Sequence, residues 1–269
     1  MMPSATEAST DLDRFLANRR WRVNPEPFPH VVVQGVFTDD CYARLADAFR
    51  STLAPVVHRG YLKDHDIHGT TLGPDQTEMF APLLGRAWHD LLASTFGVPA
   101  TGHVLAGIHH HVVESSDGFP HNDLNSGWFV GKPDPRDVVL SSPLLADYTS
   151  GQVLGTGLNA DDLVHTVRAV AMIFYLCNAD WSPGDGGTTG LYRGAEDDVD
   201  CPVVDVSPIN NSLLAFECTP SSYHGFRRNT VSERNSIVLW LHQPLDHVIN
   251  RWGEDAIVPY GLRPARGAV

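Results

Sequence analysis

A chain of 269 residues with 42% hydrophobic and 19% charged residues suits one soluble globular domain with a large core. Its formal charge of −13 argues against a nucleic-acid partner, which needs a basic footprint, and suits a cationic substrate only weakly. No apolar run is long enough to span a bilayer, which argues against a membrane protein.

The N-terminal stretch lacks a basic start followed by an apolar segment, so no signal peptide is expected. Cys41, Cys177, Cys201 and Cys218 are scattered without a CxxC pair. Neither a disulfide framework nor a structural zinc site is expected, and a cytoplasmic location is the default expectation.

Residues 1–27 are polar and read as a tail with one short helix over 12–19, ending at Pro25, Pro27 and Pro29. The run HVVVQGV over 30–36 is rich in β-branched residues and predicts a strand. Thr38 can then cap a helix in which Cys41, Leu45 and Phe49 recur at helical spacing. A second helix is predicted over 82–96, with Pro82 in its first turn, Leu84, Trp88 and Leu91 as its buried stripe, and Gly97 at its end. Strand-like runs follow at 104–113, 170–177, 203–206, 212–218 and 236–242. Helices first and strands afterwards predict a mainly β domain of the α+β kind, a curled double-sheet barrel braced by helices over 28–243. Residues 125–166, rich in Gly, Pro, Asp and Ser, read as a long lid-like insertion. Residues 244–269 read as a tail with a short helix near 247–252.

The strongest chemical signal is His121-Asn122-Asp123. A His and an Asp two apart in extended chain project to the same side, and an imidazole with a carboxylate suits a divalent first-row metal. His224, in ECTPSSYHGF after the 212–218 strand, is the best candidate for a third ligand. Taken alone, HxD is a weak signal and reads more simply as a surface loop in a chain with 14 histidines and 32 acidic residues. Arg234 and Ser236 open the run RNSIVLWL and share a strand face with Val238 and Trp240. An inward arginine calls for an anion, either a ligand carboxylate or an internal Asp or Glu. Tyr175 lies in an apolar strand and can be simple core with its hydroxyl at the rim.

The order of these pieces is more specific than any one of them. HxD, then a YLxxxDWxxxxGG segment, then an apolar strand leading to a His, then RxS, resembles the 2-oxoglutarate/Fe(II)-dependent oxygenases, closest to their prolyl-4-hydroxylase-like branch. The resemblance runs from about residue 27 to about residue 242. It implies a double-stranded β-helix, a jelly-roll or cupin-like core braced by helices. It implies Fe(II) held by His121, Asp123 and His224, with 2-oxoglutarate and O2 as co-substrates. Arg234, Tyr175 and Ser236 then match the residues for the distal carboxylate of the oxoacid, Trp240 an aromatic of the pocket, and Arg168 an arginine near the substrate. The family's overall reaction yields succinate and CO2 and hydroxylates an unactivated carbon. Halogenating relatives replace the carboxylate ligand, so Asp123 favours hydroxylation, with desaturation and ring formation open to the same site.

Within 125–166, Trp128 and Phe129 are candidate aromatics for substrate or for hinge packing, or belong to a plain surface insertion. His109 and His111 share one strand face and His110 the other; His111 can bond substrate or be a satisfied core histidine. Arg227 and Arg228 can meet an anionic substrate group or sit in solvent. The reading with the most support is a hydroxylase of a small molecule, an amino-acid derivative or natural-product intermediate. The alternatives are a hydroxylase of polypeptide side chains and a catalytically silent jelly-roll binding module.

Overall fold

The computed structural model describes residues 12–57, 61–62 and 67–259. In chain order it forms β1 (His30–Gln34), α1 (Asp39–Leu53), β2 (Tyr61–Leu62), β3 (Ile67–Thr71), α2 (Ala81–Leu84) and α3 (Arg86–Phe96). Then come β4 (His103–His111), β5 (Ser126–Val130), β6 (Val139–Leu140), β7 (Leu163–Tyr175), β8 (Thr189–Leu191) and β9 (Val204–Val206). The last elements are β10 (Ser212–Glu217), β11 (His224–Phe226), β12 (Arg234–Pro244) and α4 (Leu245–Trp252).

The helices form for local reasons. Cys41, Leu45 and Phe49 make the buried stripe of α1, with Asp39 and Asp40 at its start and Arg50 at its end complementing the helix dipole. Thr38 occupies the N-cap position, but its side chain makes no capping bond. The single helix expected over 82–96 is two, because Gly85 is extended (φ −87°, ψ 158°) between α2 and α3. Leu84 and Trp88 remain buried on either side of that break, while Leu91 is only partly buried. Gly97 ends α3 in the left-handed conformation (φ 66°) that glycine adopts without penalty.

The strands make a large sheet in the order β1-β10-β7-β12-β4-β3-β2, with β5 on β7 and β6 on β4, and a small sheet in the order β11-β8-β9. Nearly all pairs are antiparallel, and β12 sits centrally between β4 and β7. Period-two alternation gives the large sheet two apolar faces. Ile237, Leu239 and Leu241 of β12, with Met172 and Phe174 of β7, join the core that holds Phe49, Trp88 and Leu92 of the helices. Ala171 and Tyr175 of β7 pack instead with Leu191, Val206 and Phe216, between the two sheets. The result is the mainly β jelly-roll with bracing helices that the pattern implies.

One irregularity aims Arg168. Along β7 and β12, Leu241 pairs with Val170 but His242 pairs with Arg168, so Ala169 has no partner in this ladder. Ala169 and Val170 both turn toward the helix-side core, and Arg168 faces the space between the sheets. A bulge of this kind reverses the alternation of the strand beyond it.

Residues 125–166 are not a single loop. They contain β5 and β6 and run into β7, which begins seven residues earlier than the apolar run at 170 suggests. Ser126 to Val130 alternate in burial against the outer half of β7, a half-polar strand that Gly and Pro on either side obscure in the sequence. The remaining connection, 142–158, is tied by an Ala146–Val153 bridge and by the Asp147 carboxylate, which accepts from the amides of Thr149 and Ser150. The N-terminal stretch docks rather than trails: 12–15 are helical, and Leu12, Phe15, Leu16 and Trp21 pack on the core. Residues 1–11 and 260–269 lie outside the described residues.

Candidate active site

His121 and His224 come together through backbone. The two residues bridge antiparallel, with N–H···O bonds of 3.0 and 2.9 Å, which stands the HxD segment beside β11. Each ring then donates its Nδ1–H to a carbonyl two residues earlier, His121 to Phe119 (2.8 Å) and His224 to Ser222 (3.3 Å). With Nδ1 engaged, both rings present Nε2 as a lone pair. Those atoms lie 4.0 and 3.5 Å from the Asp123 carboxylate, and one ligand atom from each of the three residues fits within 4.8 Å of the others. Two imidazoles and a carboxylate on one side of a point suit a metal with open positions on the other side. Among the described residues no other group of three or more His, Cys, Asp or Glu converges in this way.

The carboxylate is held at both oxygens. Arg168 donates from Nη1 to Oδ1 and Trp240 donates from Nε1 to Oδ2, each at 2.7 Å. The Arg168 guanidinium also lies 4.0 Å over the Trp240 ring, so the two donors brace each other. Burial pushes the Asp123 carboxyl up, but Arg168 and the two imidazoles outweigh it and hold the group well below the usual carboxylate range. Burial and the neighbouring His224 push His121 down to about 4, so its ring is neutral and ready to ligate at neutral pH.

Arg234 stands on the same cavity, at the start of β12. The residue is 4% exposed. Its Nη2 donates to the Thr189 hydroxyl of β8 (3.0 Å), and the guanidinium lies 5.2 Å from the Tyr175 ring and 5.1 Å from the Phe226 ring. Tyr175 and Thr189 share a 2.7 Å bond between their hydroxyls, and Ser236 pairs with Tyr175 across the ladder. Among the described residues no carboxylate pairs with Arg234, and its Nε has no partner. Burial lowers its pKa, opposed only by Tyr175. A cavity of about 770 Å³ joins the two clusters, and His121, Asp123, His224, Arg168, Trp240, Thr189 and Arg234 all line it.

Residues 144–242 match the model of the 2OG-Fe(II) oxygenase superfamily, a span that includes Tyr175, His224 and Arg234. That part of the chain, which carries one of the two candidate imidazole ligands and the buried arginine, is similar to the superfamily. Among solved structures, the chain shares its fold with a prolyl hydroxylase in complex with a hypoxia inducible factor oxygen degradation domain peptide fragment from Trichoplax adhaerens. The TM-score is 0.50 at 16% identity, over 79% of this chain and 83% of that one. A Pseudomonas putida prolyl-4-hydroxylase matches at TM-score 0.49 and 16% identity, over 90% of this chain and all (100%) of that one. A prolyl 4-hydroxylase from Phytophthora capsici matches at TM-score 0.49 and 16% identity over 79% of this chain, which spans only 58% of that one. No curated protein sequence matches the chain. The superfamily's metal and co-substrate are Fe(II) and 2-oxoglutarate, and His121, Asp123 and His224 form the group that can receive the metal.

The fold places the other candidate residues unevenly. Trp240 lines the cavity and bonds Asp123, and His111 lines it while stacking on Phe226 (3.9 Å). Arg168 reaches the cavity but is spent on Asp123 and Asn125 rather than turned toward open space. Trp128 lies away from the cavity, stacked on His165 at 4.0 Å. Phe129 packs edge-on against Tyr148 and His242. Arg227 pairs with Asp205 and Asp200, and Arg228 with Glu114, so neither charge is left for a substrate. Thr189 and Tyr148 were not legible as site residues: one sits in a three-residue strand, the other in an irregular connection. No helix among the described residues is long and apolar enough to cross a membrane.

Proposed function

We propose that this oxygenase hydroxylates an unactivated C–H bond of a small molecule. Its iron ligands are His121, Asp123 and His224, and Arg234, Thr189, Tyr175 and Ser236 receive the distal carboxylate of 2-oxoglutarate. The observation that carries the reading is Arg234. A buried guanidinium answered only by hydroxyls and aromatic faces is costly without an anion, and it faces the same cavity as the metal-ligand group.

Iron(II) bound there would supply oxygen activation, with 2-oxoglutarate giving up two electrons as it becomes succinate and CO2 while one oxygen atom enters the substrate. The chain's own residues prepare for that chemistry. Backbone carbonyls fix the His121 and His224 tautomers, and Arg168 and Trp240 fix the Asp123 carboxylate. The buried apolar lining, with Ile67, Phe216 and Val238, excludes water and holds the carbon near the metal position. The volume suits a drug-sized molecule beside the co-substrate, and Tyr148 and Leu154 of the 142–158 connection close one side. These features support a small substrate.

A second reading, hydroxylation of a polypeptide side chain, draws on the fold shared with the Trichoplax prolyl hydroxylase. The deciding experiment is succinate release from 2-oxoglutarate with Fe(II), in the presence of amino-acid derivatives or of proline-containing peptides. Release stimulated by small molecules alone supports the proposal, and stimulation by peptides alone transfers it to the second reading. No 2-oxoglutarate turnover under any condition leaves a silent binding module.

A further inference from the structure

We infer that Tyr148 is a positioning residue that couples the cavity-lining 142–158 connection to the metal carboxylate, through Arg168. The inference rests on the reading of His121, Asp123 and His224 as metal ligands.

The directions of the hydrogen bonds follow from a single fixed end. The Thr166 hydroxyl donates to the Gly127 carbonyl (3.2 Å). It must therefore accept from His242, whose Nδ1 lies 2.9 Å away and so carries the proton. The other nitrogen, Nε2, is then a lone pair, and Tyr148 Oη, at 3.2 Å, donates to it. With its proton so committed, Tyr148 Oη accepts from Arg168 Nε (3.3 Å). The same guanidinium donates from Nη1 to Asp123. Donation thus runs outward from Arg168, one way to Asp123 and the other way through Tyr148, His242 and Thr166 to the Gly127 carbonyl, and this order requires His242 neutral. Full burial of that ring favours the same state.

The seat of Tyr148 is built for the ring as well as the hydroxyl. A Cβ on Gly127 would fall 2.2 Å from the Tyr148 ring, so only glycine lets the tyrosine lie across β5. The Trp128 amide donates to the Tyr148 carbonyl (2.8 Å), and Phe129 meets the ring edge-on at 5.7 Å. Tyr148, Asp147, Thr149 and Leu154 of this connection all line the cavity. A molecule filling the cavity therefore presses on the segment that holds Arg168 in place. By linkage, whatever seats the connection favours the metal, and the metal favours the seated connection by the same factor.

The test needs no substrate. Co(II) binding to the metal-free chain is titrated by its visible absorption, and amide exchange of residues 142–158 is followed with and without Co(II). In the wild-type chain, Co(II) should slow that exchange. Tyr148→Phe keeps the ring and removes only the hydroxyl. It should weaken Co(II) about fivefold, the scale of one lost hydrogen bond, and abolish the metal-dependent slowing. Gly127→Ala dislodges the same ring without altering any side-chain donor or acceptor, and it should show the same uncoupling. A tyrosine of purely structural importance would change the exchange rate equally with and without metal. Unchanged Co(II) affinity and unchanged metal-dependent slowing in both variants overturn the inference. A wild-type chain that binds no Co(II) overturns the ligand reading itself, and the coupling with it.

Discussion

The cavity holds two buried arginines that resemble each other in every respect but one. Arg168 lies 4.0 Å over Trp240, and Arg234 lies just over 5 Å from Tyr175 (5.2 Å) and Phe226 (5.1 Å). Both are under 5% exposed (2% and 4%). Arg168 has its counter-ion within the chain, the Asp123 carboxylate at 2.7 Å, whereas Arg234 has a threonine hydroxyl. On the function proposed above, the difference separates an arginine that holds the site in shape from one that waits for a ligand. A buried cation matched internally contributes to the folded state, and one left unmatched costs stability until an anion arrives.

The comparison is broken most directly by deleting each charge in turn. Arg168→Met leaves Asp123 buried without its partner and should destabilise the metal-free chain by about 3–5 kcal/mol. Arg234→Met removes a charge that has no counter-ion, and its stability should stay within about 1 kcal/mol of wild type or exceed it. Urea unfolding of both variants in chelator measures this. If Arg234→Met were the more damaging of the two, Arg234 would have an internal partner and the distinction would collapse.

The next largest effect concerns the co-substrate. A charge-assisted hydrogen bond contributes about 1.5–3 kcal/mol, so Arg234→Met should raise the 2-oxoglutarate requirement by about 10–150-fold. Arg168→Met should act chiefly on metal affinity. Titrating 2-oxoglutarate and Fe(II) separately in succinate-release assays resolves the two. Equal sensitivity of both variants to the oxoacid would erase the contrast between the arginines.

Which of these arginines could be understood from sequence depends on how each is placed. Arg234 opens a regular strand in which Ser236, Val238 and Trp240 share its face, so alternation alone turns it inward. Alternation fails for Arg168, because the bulge at Ala169 reverses the strand between it and Tyr175. No residue pattern announces a bulge whose cause is the ladder with β12. The HxD and RxS segments were legible because each is two residues of local geometry. Thr189, Tyr148 and the bridge that joins His121 to His224 depend on chain closure across tens of residues, which leaves no local trace. The helix stripes and the apolar strands were legible for the same local reason, and β5, β8 and β11 were missed because three to five residues carry too little pattern.

Behind Arg168 stands His242, and pH sharpens the contrast through it. Burial holds this histidine well below its usual 6.5, so it is neutral in the folded chain and protonates readily only when unfolded. A ring whose pKa is lowered by folding leaves stability intact above about pH 6.5 and withdraws it as pH falls, by up to about 1.4 kcal/mol per pH unit. His242→Gln removes that proton uptake. The slope of unfolding free energy averaged between pH 7 and 5, in chelator, should be shallower by about 1 kcal/mol per pH unit in the variant, although its stability at pH 7 is lower. Parallel slopes would mean that His242 is charged in the folded chain, which contradicts the hydrogen-bond polarity running from Thr166 to Arg168.

The smallest expected effect belongs to Ser236, two residues beyond Arg234 on the same face. Its hydroxyl is fully buried and has no partner among the described residues. In the free chain that hydroxyl contributes nothing to offset its desolvation, so Ser236→Ala should leave stability unchanged or raise it slightly. With 2-oxoglutarate bound as proposed, the same hydroxyl would donate to the carboxylate assigned to Arg234, and losing one such bond costs about 0.5–1.5 kcal/mol, or about two- to tenfold in affinity. Stability and co-substrate affinity should therefore move in opposite directions, as for Arg234→Met on a smaller scale. A variant that loses stability while binding 2-oxoglutarate normally would place Ser236 in the packing of β7 against β12 and remove it from the pocket.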